Sequence, residues 1–147
     1  MRVLVQRVKE ANVKVDGKEI SKIEKGFLVF VGVTHSDTTK EVDYLAKKVT
    51  NLRVFEDENE KMNLSLKDVG GKLLIVSQFT LYGNCEQGNR PSFTEAGKPD
   101  MANELYEYFC NKCQESGIEV QKGIFGADMK ISLINDGPVT LMIEKNF

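Results

Sequence analysis

Side chains able to do chemistry are few in this chain, and their spacing narrows the possibilities quickly. A hydroxyl nucleophile generally needs a base beside it, and histidine is the usual one. The only histidine, His35, lies in the polar stretch Val33-Thr34-His35-Ser36-Asp37 and reads as a solvated loop residue. A Ser-His-Asp hydrolase is therefore a poor fit. The acidic residues crowd into Glu56-Asp57-Glu58-Asn59-Glu60, with no apolar frame to shift a pKa, so a carboxylate acid–base pair has no evident seat. Cys110 and Cys113 form a C-x-x-C pair inside a helical pattern, and only Cys85 and His35 remain as partners. Zinc wants about four ligands, so no metal is expected, and two thiols on or beside the buried face of a helix is the simpler reading. No phosphate-cradling glycine motif is present, and no nucleotide cofactor is expected.

What survives is chemistry that asks little of side chains. The apolar run Lys72-Leu73-Leu74-Ile75-Val76 ends abruptly in Ser77-Gln78-Phe79-Thr80. Backbone N–H donors at such a strand end can stabilise a developing oxyanion. Thr80 is the obvious side-chain candidate, either as a nucleophile or as a hydroxyl that orients water or substrate. A second unusual segment is Asn135-Asp136-Gly137-Pro138-Val139-Thr140. Proline cannot donate to a sheet ladder, so the Gly-Pro step must be an edge, a bulge or a tight turn, a plain hairpin being the simplest case.

The elements that must position these residues are mostly strands. Arg2–Val8, Asn12–Val15 and Lys18–Ile23 alternate, and Asp16-Gly17 between the last two is a type I′ hairpin signal. Phe27–Val31 is continuously apolar, as a strand buried on both faces would be. Thr38 and Glu41 make a capping box ahead of Val42, Leu45, Ala46, Val49 and Leu52 at helical spacing. Asp57–Asn63 reads as a loop, Lys72–Gln78 as the second long strand, and Tyr82–Asp100 as a surface loop. A second helix is expected over Pro99–Ser116, with Gly117 as its C-terminal cap. Met129–Ile134 and Val139–Glu144 read as strands flanking the Gly-Pro step. The expectation is a single α/β domain over residues 1–147, rich in strands, with two helices packed on one side.

Ser77-Gln78-Phe79-Thr80-Leu81 and Asn135-Asp136-Gly137-Pro138-Val139-Thr140 resemble the two signature motifs of the D-aminoacyl-tRNA deacylases, S-Q-F-T-L and N-x-G-P-V-T, without a substitution. The resemblance extends along the chain. Met1–Val8, Gly32-Val33, Asn51–Phe55, Lys61–Ser65, Gly88–Phe93 and Phe125–Met129 are similar to further family segments in the same order.

That resemblance implies a mixed, barrel-like sheet and a homodimer with active sites at its interface. It implies hydrolysis of the ester of a D-aminoacyl-tRNA, the substrate's own ribose 2′-hydroxyl taking a role and protein side chains being secondary. Ser77, Gln78, Phe79 and Thr80 would form the reaction pocket. Gly137-Pro138, with a cis bond, would enter the partner's pocket and exclude L-residues by a clash, leaving glycyl-tRNA at some risk. Phe125, Ala127 and Met129 would receive the terminal adenine, Phe125 by stacking, with core packing of Phe125 and Met129 left open as the alternative. Arg7, mid-strand, would brace the Gly-Pro carbonyls or else form a surface pair. Two other readings stay open: a silent module that binds the tRNA end, and a general esterase using Thr80.

Charge and hydropathy limit the partners. With 20 basic and 22 acidic residues and a pI near 5.5, the chain is no coat for a phosphate backbone. Contact confined to the aminoacylated 3′ end of tRNA is compatible with that balance, and DNA is not. No apolar run approaches a membrane span, and Arg2 and Arg7 interrupt any signal-peptide core, so a cytoplasmic protein is expected.

Overall fold

The N-terminal strand runs through the polar interruption in its alternation. In the computed structural model, which describes residues 1–147, β1 (Arg2–Val15) is one strand where two were expected. Its first half pairs antiparallel with β3 (Gly26–Gly32), its second with β2 (Lys18–Ile23). The exposed Lys9 and Glu10 mark the bend between the two partners, where neither residue faces a core. Asp16 and Gly17 both adopt positive φ, 50° and 77°, as a type I′ turn requires.

After β3 the Thr38–Glu41 capping box starts α1 (Thr39–Asn51). The stretch expected as a loop is a small ribbon, β4 (Phe55–Glu56) against β5 (Met62–Leu64), with its acidic turn exposed between them. A third helix of one turn, α2 (Leu66–Val69), follows; it has its own capping box, Ser65 with Asp68, too short to carry an apolar periodicity. Then come β6 (Lys72–Ser77), α3 (Pro99–Glu115) and β7 (Val120–Lys122). Gly117, at φ 94°, closes α3 as expected. The last strand, β8 (Lys130–Glu144), runs along β1 and continues past Gly137-Pro138, so that step is not a hairpin turn.

Strand order is β2-β1-β3-β6-β7, with β8 on the other side of β1, and the sheet curls nearly into a barrel. β3 and β6 are parallel, and their alternation feeds two cores. Phe27, Val29, Val31, Leu73 and Ile75 face α1 and α3, meeting Val42, Leu45, Val49, Tyr106 and Phe109. Leu28, Leu74 and Val76 face the barrel interior with Val13 and Ile23. Strands buried on both faces read as unbroken apolar runs for this reason. No helix is long and apolar enough to cross a membrane.

Candidate active site

β3 and β6 end at the same edge of the sheet, Val31 opposite Ser77. The Gln78 N–H donates to the Val31 carbonyl at 2.8 Å, and the chain then tightens into a 3-10 turn, Phe79–Tyr82. Gly32 lets this turn lie flush on β3: a Cβ there would stand 2.9 Å from Leu81 Cβ and 3.2 Å from the Gln78 carbonyl oxygen. The first bond inside the turn runs from Leu81 N–H to the Gln78 carbonyl, 3.2 Å. The N–H groups of Phe79 and Thr80 precede it and stand outside the turn's ladder. Thr80 is exposed, and its hydroxyl accepts from the Gln78 side-chain amide. His35 does not itself line the cleft; it is an exposed loop residue whose Nε2 lies 2.7 Å from the carbonyl of Thr94, which does.

The turn opens onto a cleft of about 760 Å³, mostly apolar. Ser77, Gln78 and Phe79 form one wall, and Phe125, Ala127 and Met129 contribute another. Phe125 and Met129 pack against the two cores, as the core reading expected, and also line the cleft. Behind Phe125 is Tyr106 of α3, ring centroids 6.3 Å apart, its hydroxyl bonded to the Ile75 carbonyl at 2.7 Å. Burial holds that phenol well above the usual tyrosine range. Sequence reasoning missed Phe93, Lys98 and Ala102 as cleft residues. Phe93 meets Phe79 edge-on at 5.2 Å; an aromatic alone in a polar loop was the available signal. Thr80 sits on the turn without lining the cleft.

Gly137 and Pro138 lie outside their own chain's cleft, and both are exposed. Register explains where they go. On β1, Gln6 pairs with Thr140 and Val8 with Asn135, so Arg7 alone faces the four residues Asp136–Val139. These bulge outward with Gly137-Pro138, a cis peptide, at the apex. Asn135 staples the base of the bulge, accepting from Val139 N–H at 3.1 Å and donating to the Thr140 hydroxyl at 2.8 Å. Arg7 is buried beneath it and donates to the Asp136 carbonyl at 3.1 Å and the Val54 carbonyl at 2.6 Å. The carboxylates of Glu56 and Asp136 stand 3.9 Å away, so the guanidinium is enclosed and not a surface pair. A Cβ on Gly137, whose φ is 123°, would lie 3.0 Å from both Arg7 Nη2 and Val139 Cγ2.

The family described as D-Tyr-tRNA(Tyr) deacylase matches residues 4–144 of this chain. A protein of Exiguobacterium sibiricum named D-aminoacyl-tRNA deacylase is 60% identical over 145 residues, 99% of this chain and 100% of that protein. One of the same name from Clostridium novyi is 62% identical over 144 residues, 98% of this chain and 97% of the other. Among solved structures, one described as c-Myc DNA Unwinding Element Binding Protein matches with TM-score 0.93 and 38% identity, over 100% of both chains. Another, described as a probable eukaryotic D-amino acid tRNA deacylase, has TM-score 0.83 over 97% of both chains; at 18% identity the likeness is one of fold.

Proposed function

The chain belongs to the D-Tyr-tRNA(Tyr) deacylase family, and from that premise we propose that it hydrolyses the ester of D-aminoacyl-tRNA, freeing the tRNA and the D-amino acid. The supporting observation is a juxtaposition. The Ser77–Phe79 wall and the Phe125–Met129 wall meet at one cleft, beside donors not used by the turn, while Gly137-Pro138 lies exposed outside it.

In this reading the terminal adenosine enters between Phe125, Ala127 and Met129, with the Phe125 ring stacked on the base. The ester carbonyl oxygen lies against the N–H groups of Phe79 and Thr80, which stabilise the oxyanion as water adds to the carbonyl carbon. When the tetrahedral species collapses, the bond from that carbon to the ribose oxygen breaks. The ribose oxygen takes the proton that the attacking water gives up, the neighbouring 2′-hydroxyl serving as the relay. An ester is reactive enough that holding water and substrate in place supplies much of the acceleration.

Stereochemistry is assigned to a second copy of the chain. The apex Gly137-Pro138, braced by Arg7 and stapled by Asn135, enters the neighbour's cleft. Its carbonyls accept from the α-ammonium of a D-residue, and an L side chain is driven into backbone that cannot yield. Glycine has nothing to exclude, so glycyl-tRNA is cleaved to some extent. Exposed Ile134, Leu141 and Met142 on β8, whose outer edge has no partner strand, favour such a homodimer. The reading places the protein in the cytoplasm, where tRNA is charged.

The test is release of tyrosine from D-tyrosyl-tRNA, L-tyrosyl-tRNA and a small activated ester. A stereospecific deacylase cleaves the first alone. Cleavage of all three supports an esterase, and cleavage of none supports a module that only binds the RNA end.

A further inference from the structure

The turn Phe79–Tyr82 has little of its own to hold it. Four residues of 3-10 geometry make poor hydrogen bonds, and Phe79 and Thr80 are exposed. Beyond Leu81 N–H to Gln78, it closes with Gly83 N–H to the Thr80 carbonyl at 2.9 Å. Yet the mechanism above needs the N–H groups of Phe79 and Thr80 fixed to well under an ångström.

Arg2 supplies the missing hold. It stands first in β1, between Gly32 of β3 and Glu144 of β8. Its Nη1 donates to the Leu81 carbonyl at 2.8 Å. Its guanidinium carbon lies 4.4 Å from the centroid of the Tyr82 ring, within cation–π range. Nε pairs with the Glu144 carboxylate, which aims the fork at the turn. Tyr82 itself is buried and its hydroxyl has no hydrogen-bond partner, so its ring is held by packing and by this cation. From these contacts we infer that Arg2 is a positioning residue for ester hydrolysis: gripping Leu81 and Tyr82 at one end of the turn sets where the Phe79 and Thr80 N–H groups point at the other. The inference rests on the proposed use of those two N–H groups as the oxyanion donors.

A merely structural ion pair behaves differently. Arg2 and Glu144 are 35% and 42% exposed at their side chains, and pairs so exposed contribute little to stability. Loss of the grip therefore shows in the turn and in turnover and leaves the fold intact. Arg2→Met keeps the apolar stem over Tyr82 and removes the donor and the charge. Its kcat on D-tyrosyl-tRNA is expected to fall about tenfold, as for loss of one charged donor. KM is expected to stay within about twofold, because binding of the adenosine is untouched. Arg2→Lys, able to reach one carbonyl but not to fork, recovers part of that loss. Glu144→Gln keeps an acceptor for Nε but not its charge, and is expected to lose less turnover than Arg2→Met.

Amide hydrogen exchange supplies the readout independent of activity. In Arg2→Met, exchange at Leu81 and Gly83 accelerates while the amides of the β1–β3 ladder keep their protection. Unchanged exchange at Leu81 and Gly83 overturns the inference, as does an unchanged kcat in an enzyme active on D-tyrosyl-tRNA. If the native protein does not cleave D-tyrosyl-tRNA at all, the functional reading falls, and exchange at Leu81 and Gly83 then decides for or against the grip.

Discussion

At Thr80 the hydroxyl accepts from the Gln78 amide and faces no base. In the proposed mechanism it only steadies the turn, so Thr80→Ala is expected to keep deacylation within about tenfold of the native rate in single turnover. An acyl group trapped on Thr80 would overturn the backbone-driven mechanism. The two helical thiols belong to the core. Burial pushes Cys110 from an ordinary 9.0 up to about 12, and Cys113 further still. The sign follows from linkage: unfolded thiols ionise near their ordinary value while the folded ones resist. Stability is whole below about pH 9 and declines as pH rises through the window up to about 12. Melting temperatures between about pH 8 and about pH 10.5 should fall, and Cys110→Ala should flatten the slope. A slope unchanged by that substitution would contradict the burial.

The elements show why some of the molecule was legible and some was not. β3 and β6 announce themselves as unbroken apolar runs, α1 and α3 because each is long enough for its periodicity to be complete, and Thr38 and Gly117 mark helix ends by local chemistry alone. β1 looked like two strands because Lys9-Glu10 breaks the alternation where the strand changes neighbours, a tertiary fact with no local signal. The bulge at Gly137-Pro138 follows the same logic: proline excluded a regular ladder, but only the pairing with β1 turns a hairpin into a four-residue protrusion over Arg7. Of the cleft walls, Ser77–Phe79 were readable where a buried run stops, and Phe125–Met129 through the family resemblance. Phe93, Lys98 and Ala102 reach the cleft through topology, and of these only Phe93, an aromatic in a polar loop, left a local signal. In Gly32→Ala the added Cβ meets Leu81 Cβ at 2.9 Å, which displaces the turn from β3. Turnover of D-tyrosyl-tRNA should drop by about tenfold or more, with a loss of stability near 1–3 kcal/mol typical of overpacking. Native turnover in that variant would mean that the turn's seat is not critical.

On the scale of the whole molecule, the near balance of 20 basic and 22 acidic residues suits a protein that handles the end of an RNA and not its length. In the proposed mechanism each cleft is completed by the Gly137-Pro138 apex of another copy. Subunit complementation tests it most directly. Gly137→Ala spoils the apex, since its Cβ falls 3.0 Å from Arg7 Nη2 at a φ of 123° that L side chains rarely adopt. Ala127→Trp fills the cleft and leaves the apex intact. Each variant alone should be inactive on D-tyrosyl-tRNA. When the two are unfolded together and refolded as a mixture, random pairing makes about half of the dimers mixed, each with one intact cleft facing one intact apex. Recovery of about a quarter of native activity is the predicted result. Mixed dimers that form, as verified by native mass spectrometry, and remain at the inactive baseline would contradict the claim.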